Sequence, residues 1–241
     1  MKQARGREIG LAVVLSSLAG YLDVVGFIVL GGQFVSFMSG NTTELSTFLG
    51  SGAATGAGSV AVLLGMFVVG VMLGAVAARF GDARTTVLTV TTALLVGTAA
   101  ASSVVDPPIA VMIGLPSAMG AMNATFLRQG EVSIGLTYMT GALVKAGQQF
   151  VDAVAGGPRW LWLRSLSLWF ALAVGGVLGA LTHGLTGAVG AMWIGAGVLT
   201  VVTIATVTVR RRTGDFGRDS SVVRYREVQV LGESADPDAV S

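Results

Sequence analysis

The chain has 241 residues, of which 53% are hydrophobic and 12% charged, with 15 lysines and arginines against 13 acids and a mean hydropathy of +0.76. Soluble domains carry about 25% charged residues, so a water-soluble globule is excluded for want of polar surface. The 35 glycines follow no three-residue period, which excludes a fibrous chain, and the absence of cysteine removes disulfides, thiolate metal sites and cysteine nucleophiles.

A membrane-crossing helix needs about 20 mostly apolar residues. Such runs predict six spans, at residues 9–30, 55–78, 85–104, 109–127, 165–182 and 187–209. Lys2, Arg5 and Arg7 precede the first run as they would in a signal peptide. Ser17 and Ala19 make a weak cleavage site, however, and five more spans follow, so an uncleaved first span is the better reading. The fold class is therefore an all-α polytopic membrane protein.

Orientation follows from the positive-inside rule. With residues 1–8 cytoplasmic, all 15 lysines and arginines fall on the inner side, and the outer segments hold only Glu44, Asp106 and His183. Both termini are expected in the cytoplasm of a bacterial plasma membrane protein. Residues 210–241 open with three arginines and turn polar, which reads as a disordered cytoplasmic tail anchored by its basic start. The pI of about 9.4 implies no nucleic-acid partner, because the basic charge sits at span ends.

The two halves match at an offset of 100 to 105 residues. Ser17-Leu-Ala-Gly20-Tyr-Leu-Asp23 aligns with Ser117-Ala-Met-Gly120-Ala-Met-Asn123, and Ser36-Phe-Met-Ser39-Gly40 with Thr137-Tyr-Met-Thr140-Gly141. Gly70-Val-Met-Leu-Gly74 aligns with Gly175-Gly-Val-Leu-Gly179. Three spans per half is an odd number, so residues 9–104 and 109–209 are expected as inverted-topology repeats. Secondary transporters use that arrangement, with the solute site near the midplane between the repeats. The alternative is an old duplication serving only as scaffold.

Gly20-Tyr-Leu-Asp23, Phe34-Val-Ser-Phe-Met-Ser-Gly40-Asn41-Thr42, Ala118-Met-Gly120-Ala-Met-Asn123-Ala124 and Thr137-Tyr-Met-Thr-Gly141 occur in that order. Together they resemble the YoaK-like family of bacterial integral membrane proteins over about residues 8–209. Ser39 stands where that family often has Thr, and Met122 where Gln is usual. The family is defined as a domain of unknown function, so the resemblance implies fold and membrane location but no substrate.

Asp23 is the residue most suited to chemistry. An intramembrane carboxylate costs on the order of 2.5–3.5 kcal/mol on insertion scales and marks a functional site by default. It fits a proton carrier or a ligand for a cation or substrate amine; the alternative is a carboxylate that only hydrogen-bonds its neighbours. Asn123, its counterpart, cannot titrate. Short helices are expected after Met38 and Met139. Asn41 and Glu44 have the form of a capping box, so that Ser39, Gly40 and Asn41, and Thr140 and Gly141, would open half-helices at membrane depth, with flat interfacial helices as the alternative. Gly70/Gly74 and Gly175/Gly179 are GxxxG pairs that allow close helix approach, and Pro116 should kink the fourth span.

Nothing resembles an active centre. One histidine, no HExxH or nucleophile elbow and one membrane aspartate argue against an enzyme, and no cofactor or metal is implied. The partners expected are the lipid bilayer and an unidentified small solute or ion, and the reading admits a homo-oligomer. The leading function is passage of that solute, with proton coupling through Asp23. The runner-up is a non-transporting scaffold or assembly partner.

Overall fold

The computed structural model describes residues 6–128, 131–132 and 136–213. Among these, seven α-helices follow in order: α1 (Gly6–Val29), α2 (Met38–Gly50), α3 (Ala54–Ala77), α4 (Ala83–Ala101), α5 (Pro107–Asn123), α6 (Met139–Val154) and α7 (Leu161–Thr213). A two-residue antiparallel ribbon pairs Leu127 with Val132 and Arg128 with Glu131. Five helices, α1, α3, α4, α5 and α7, are long and apolar enough to cross a membrane. Residues 1–5 and most of the expected tail, from 214 onward, lie outside the described residues. The tail's expected start at 210 is corrected, because α7 stays helical to Thr213.

The last two expected spans lie in one run of 53 helical residues, α7. A straight helix of that length would reach about 80 Å, against a bilayer core of about 30 Å. Gly187, at φ 70° and ψ −178°, breaks it, in a conformation that only glycine adopts freely. The Tyr21 hydroxyl donates to the Ala191 carbonyl at 2.9 Å and accepts from the Thr182 hydroxyl at 2.7 Å. Nine residues of straight helix would hold those two partners about 13 Å apart. α7 is therefore a hairpin of two arms, folded back at Gly187.

The core gathers around α1. Its Ala12, Leu15, Ala19, Leu22 and Val25 recur every three or four residues and pack with Leu88 and Leu95 of α4, Leu115, Met119 and Met122 of α5, and Met192 and Leu199 of the second α7 arm. α3 and the first α7 arm flank this core and turn large apolar side chains outward. Val68, Met72 and Val76 of α3 and Val177 and Leu181 of α7 are more than half exposed. In water that surface would be a liability; in lipid it is the expected one.

Apolar burial cannot drive helix association inside hydrocarbon, so contact comes from small residues that let backbones meet. Two crossings are built this way. A Cβ on Gly20 would overlap the Leu172 carbonyl, one on Gly175 the Ser17 carbonyl, and one on Gly179 the Tyr21 carbonyl. In the other crossing, Gly120 abuts the Phe67 carbonyl, Gly70 the Ser117 carbonyl and Gly74 the Ala121 carbonyl. One turn along α1, from Ser17 to Tyr21, the partner advances from Gly175 to Gly179, and one turn along α5, from Ser117 to Ala121, it advances from Gly70 to Gly74. Gly20 and Gly120 reach back across each crossing to Leu172 and Phe67. In this register α1 runs parallel to the first α7 arm, and α5 parallel to α3. The second α7 arm runs antiparallel to α4. Trp193 Nε1 donates to Ser103 Oγ at 3.2 Å, the Thr203 and Thr92 hydroxyls meet at 2.8 Å, and Arg210 pairs with Asp82. α5 continues through Pro116, where the Ser117 hydroxyl donates to the Ile113 carbonyl at 2.7 Å.

Candidate functional site at the two chain reversals

α1 ends in a reversal. Gly31 and Gly32 have φ of 67° and 113°, which lets the chain turn and run back beside its own helix. Val35 is fully buried against Gly26, where a Cβ would strike its side chain. The returning stretch is not helical until Met38, so beyond the Ser36 and Phe37 carbonyls, which accept the Met38 and Asn41 N–H groups, its backbone has no regular ladder of partners. Irregular backbone at membrane depth is tolerated only where protein groups satisfy it, and two polar side chains do so here. Asp23 Oδ1 accepts the Val35 and Ser36 N–H groups at 3.0 and 2.9 Å, and Oδ2 accepts the Ser36 hydroxyl at 3.0 Å. Asn41 takes the Phe34 N–H on Oδ1 at 3.0 Å and donates from Nδ2 to the Phe34 carbonyl at 2.6 Å.

This corrects the capping-box expectation. α2 starts at Met38, Phe37 occupies the N-cap without a side-chain bond, and Asn41 lies inside the helix and fully buried. The local Asn-x-x-Glu pattern fits a cap, but the Phe34 backbone claims the amide. Asn41→Ala leaves that buried N–H and C=O without their partners and is expected to destabilise the protein by about 2 kcal/mol. The measurement is the unfolding midpoint in detergent, with the exposed Thr43→Ala as the control that should not move.

The second reversal repeats part of this arrangement. Asn123 is buried at the end of α5, donates from Nδ2 to the Met119 carbonyl at 3.0 Å and accepts the Thr137 hydroxyl on Oδ1 at 3.3 Å. Leu136, like Val35, is fully buried. The Asp23–Ser36 contact thus has its counterpart in Asn123–Thr137, with a neutral amide in place of the carboxylate.

Of the seven residues singled out by sequence, Asp23 and Asn41 converge on one returning loop. Gly40 lies beside them, with no room for a side chain against the Phe34 and Phe37 rings, while Ser39 is exposed and its carbonyl accepts the Thr43 hydroxyl at 3.1 Å. Thr140 and Gly141 are exposed in the first turn of α6. Asp23 and Asn123 each bond within their own half, and among the described residues no hydrogen bond joins them.

Asp23 borders an open recess of about 270 Å³ whose other walls are Val24, Phe27 and Phe34. The Phe27 and Phe34 rings stand 4.9 Å apart at 44°, and Phe37 meets Phe34 edge-on at 5.3 Å. Sequence reasoning missed these aromatics, because a phenylalanine in an apolar run carries no signal of its own. It also missed Ser36 and Thr137 as polar partners, although the repeat alignment contains both. Among the described residues no three His, Cys, Asp or Glu side chains converge as a metal site would require.

Comparison with known proteins carries the resemblance seen in the sequence motifs. A UPF0700 transmembrane protein of Rhizobium meliloti (strain 1021) is 34% identical over 214 residues, covering 86% of this chain and 91% of that protein. No solved structure matches the chain. The family model described as "Protein of unknown function (DUF1275)" matches residues 11–205. Nearly the whole membrane region is thereby accounted for, and the chain belongs to this family of integral membrane proteins of unknown function.

Proposed function

We propose that the protein carries a small solute or ion across the bacterial plasma membrane through two inverted-topology repeats, with Asp23 as the titratable group at the solute site. The observation that carries this reading is the equivalence of the two parallel crossings. Gly20, Ser17, Gly175 and Gly179 stand in one as Gly120, Ser117, Gly70 and Gly74 stand in the other. The helix directions agree with it. If α1 runs outward, α3 starts beside its end, where Gln33 Nε2 donates to Ser59 Oγ at 3.0 Å, and follows inward, with α4 outward after a short connection; α5 then runs inward, and the α7 arms run outward and inward. The first half reads out-in-out and the second in-out-in.

Each half returns a loop into the bundle at a chain reversal, held by Asp23 in one and Asn123 in the other. Two equivalent re-entrant elements of opposite orientation give alternating access its symmetry. The carboxylate in one and the amide in the other restrict any proton step to a single site. Cytoplasmic termini follow from the distribution of lysine and arginine. The same reading makes the protein a carrier rather than an enzyme.

A second reading has its own support. Asp23 already accepts three hydrogen bonds from the loop it holds, which suits a structural tether in a non-transporting scaffold. Asp23→Asn separates the two, because Asn123 already serves as an amide at the matching position. In liposomes screened against a solute panel, the wild type should show saturable flux that a pH gradient drives, and Asp23→Asn should lose the gradient dependence while retaining its fold. Gradient-driven flux at the wild-type rate in the variant would reduce Asp23 to a tether. No flux of any solute by the wild type would favour the scaffold.

A further inference from the structure

The geometry points to a small organic cation, a protonated or quaternary amine with an apolar body, as the ligand of the Asp23 recess. This rests on the reading of Asp23 as a solute site and adds the chemical class of the solute.

Three features of the recess converge on that class. The first is charge. Asp23 accepts two backbone N–H groups and one hydroxyl, spread over both oxygens, and an ionised carboxylate is the acceptor-only form that such a donor set suits. All three donors are neutral, and among the described residues no lysine, arginine or histidine pairs with Asp23. A carboxylate at this depth without a countercharge is costly, and a cation in the recess would supply that countercharge.

The second feature is the aromatic wall. Phe27 and Phe34 line the same recess as the carboxylate, with Phe37 against Phe34. Ring faces carry negative potential, which attracts cations and quaternary ammonium groups in particular. Asp23 and both rings therefore border one space, where the negative potentials of a carboxylate and of ring faces would add for a cation.

The third feature is what the walls lack. Val24, Phe27 and Phe34 offer no side-chain oxygen. A hydrated inorganic cation needs several oxygen ligands in place of its water, and here it would find only Asp23. An alkylammonium sheds water more readily, needs one countercharge and gains from the apolar walls. Anionic solutes are repelled, and neutral ones gain nothing from the carboxylate.

The test is equilibrium binding to the purified full-length protein in nanodiscs of zwitterionic phosphatidylcholine. The probe is benzyltrimethylammonium, with benzyl alcohol and benzoate as neutral and anionic counterparts. Saturable binding of the cation is expected, at least about 10-fold tighter than the alcohol, with no binding of benzoate. Asp23→Asn should remove that preference, and Phe27→Leu should weaken the cation about 3- to 10-fold while leaving the alcohol unchanged. Phe27 is partly exposed, so its truncation spares the fold and decides the matter if Asp23→Asn gives no folded protein. Equal affinity for cation and alcohol, or unchanged cation affinity in either variant, overturns the assignment. Binding needs no flux. A protein that binds the cation but moves no solute contradicts transport alone, and one that moves other solutes without binding the cation contradicts this inference alone.

Discussion

Gly20→Val and Gly120→Val are each expected to abolish the folded protein, while Gly65→Val and Gly97→Val leave it intact. At the first pair a side chain would overlap the backbone carbonyls of Leu172 and Phe67; at the second pair nothing lies within 4 Å. A clash with a flexible side chain can be relieved by a rotamer change, but a carbonyl moves only with its helix. Relief therefore means separating two helices along their whole crossing, which gives up the other close contacts of Gly175 and Gly179, or of Gly70 and Gly74. Overpacking a core ordinarily costs about 1–3 kcal/mol, and a backbone-on-backbone wedge belongs at or above the top of that range. The yield of monodisperse protein on size exclusion in mild detergent measures the outcome. The equivalence of the crossings adds a stricter condition, namely that Gly70→Val and Gly175→Val be equally severe. Normal yield from Gly20→Val alongside loss of Gly120→Val would show that the crossings only look alike.

Much of this architecture was readable from sequence because a bilayer imposes few and simple demands. It fixes the length of an apolar run, so the spans could be bounded, and it makes small residues the means of helix contact, so the glycine pairs at spacing four marked real crossings. The repeat offset matched Asp23 with Asn123 and Ser36 with Thr137 before any contact between them was known. What stayed hidden were choices set by distant parts of the chain. Asn41 sits in a local pattern that fits a helix cap, yet the Phe34 backbone takes both ends of its amide. Gly187 is one of 35 glycines, and the gap between the fifth and sixth apolar runs suggested a break without telling which residue makes it. The basic run at the end of α7 reads as a membrane anchor, and nothing in Arg-Arg-Arg tells which guanidinium turns inward. Phe27 and Phe34 acquire meaning only from the carboxylate that the fold sets beside them.

Arg210 is the member of that run that turns inward, and Arg210→Met is expected to destabilise the protein by about 3–5 kcal/mol. Its Nε donates to Asp82 Oδ2 at 2.8 Å and its terminal nitrogen to Oδ1, and this two-point fork is the strongest geometry available to such a pair. Asp82 is 1% exposed. It also caps α4, accepting the Thr85 N–H at 3.2 Å and the Thr85 hydroxyl at 2.6 Å. The pair thus ties the last turn of α7 to the first turn of α4. Two residues after Asp82, Arg84 meets Glu8 at 3.2 Å, with its guanidinium 5.2 Å from the Phe126 ring. Removing Arg210 leaves a buried carboxylate that has lost the guanidinium neutralising it, and much of the cost is that desolvated charge. Asp82→Asn should cost less, because asparagine still caps α4 and a long arginine can lift its charged end toward water. The double variant Asp82→Asn with Arg210→Met should therefore be more stable than Arg210→Met alone, since the charge that the guanidinium balanced is gone. Unfolding midpoints of the four proteins form a double-mutant cycle with an expected coupling above about 2 kcal/mol. Additive losses would mean that water already reaches Asp82, and the two helix ends would then be held together by their apolar contacts rather than by this pair.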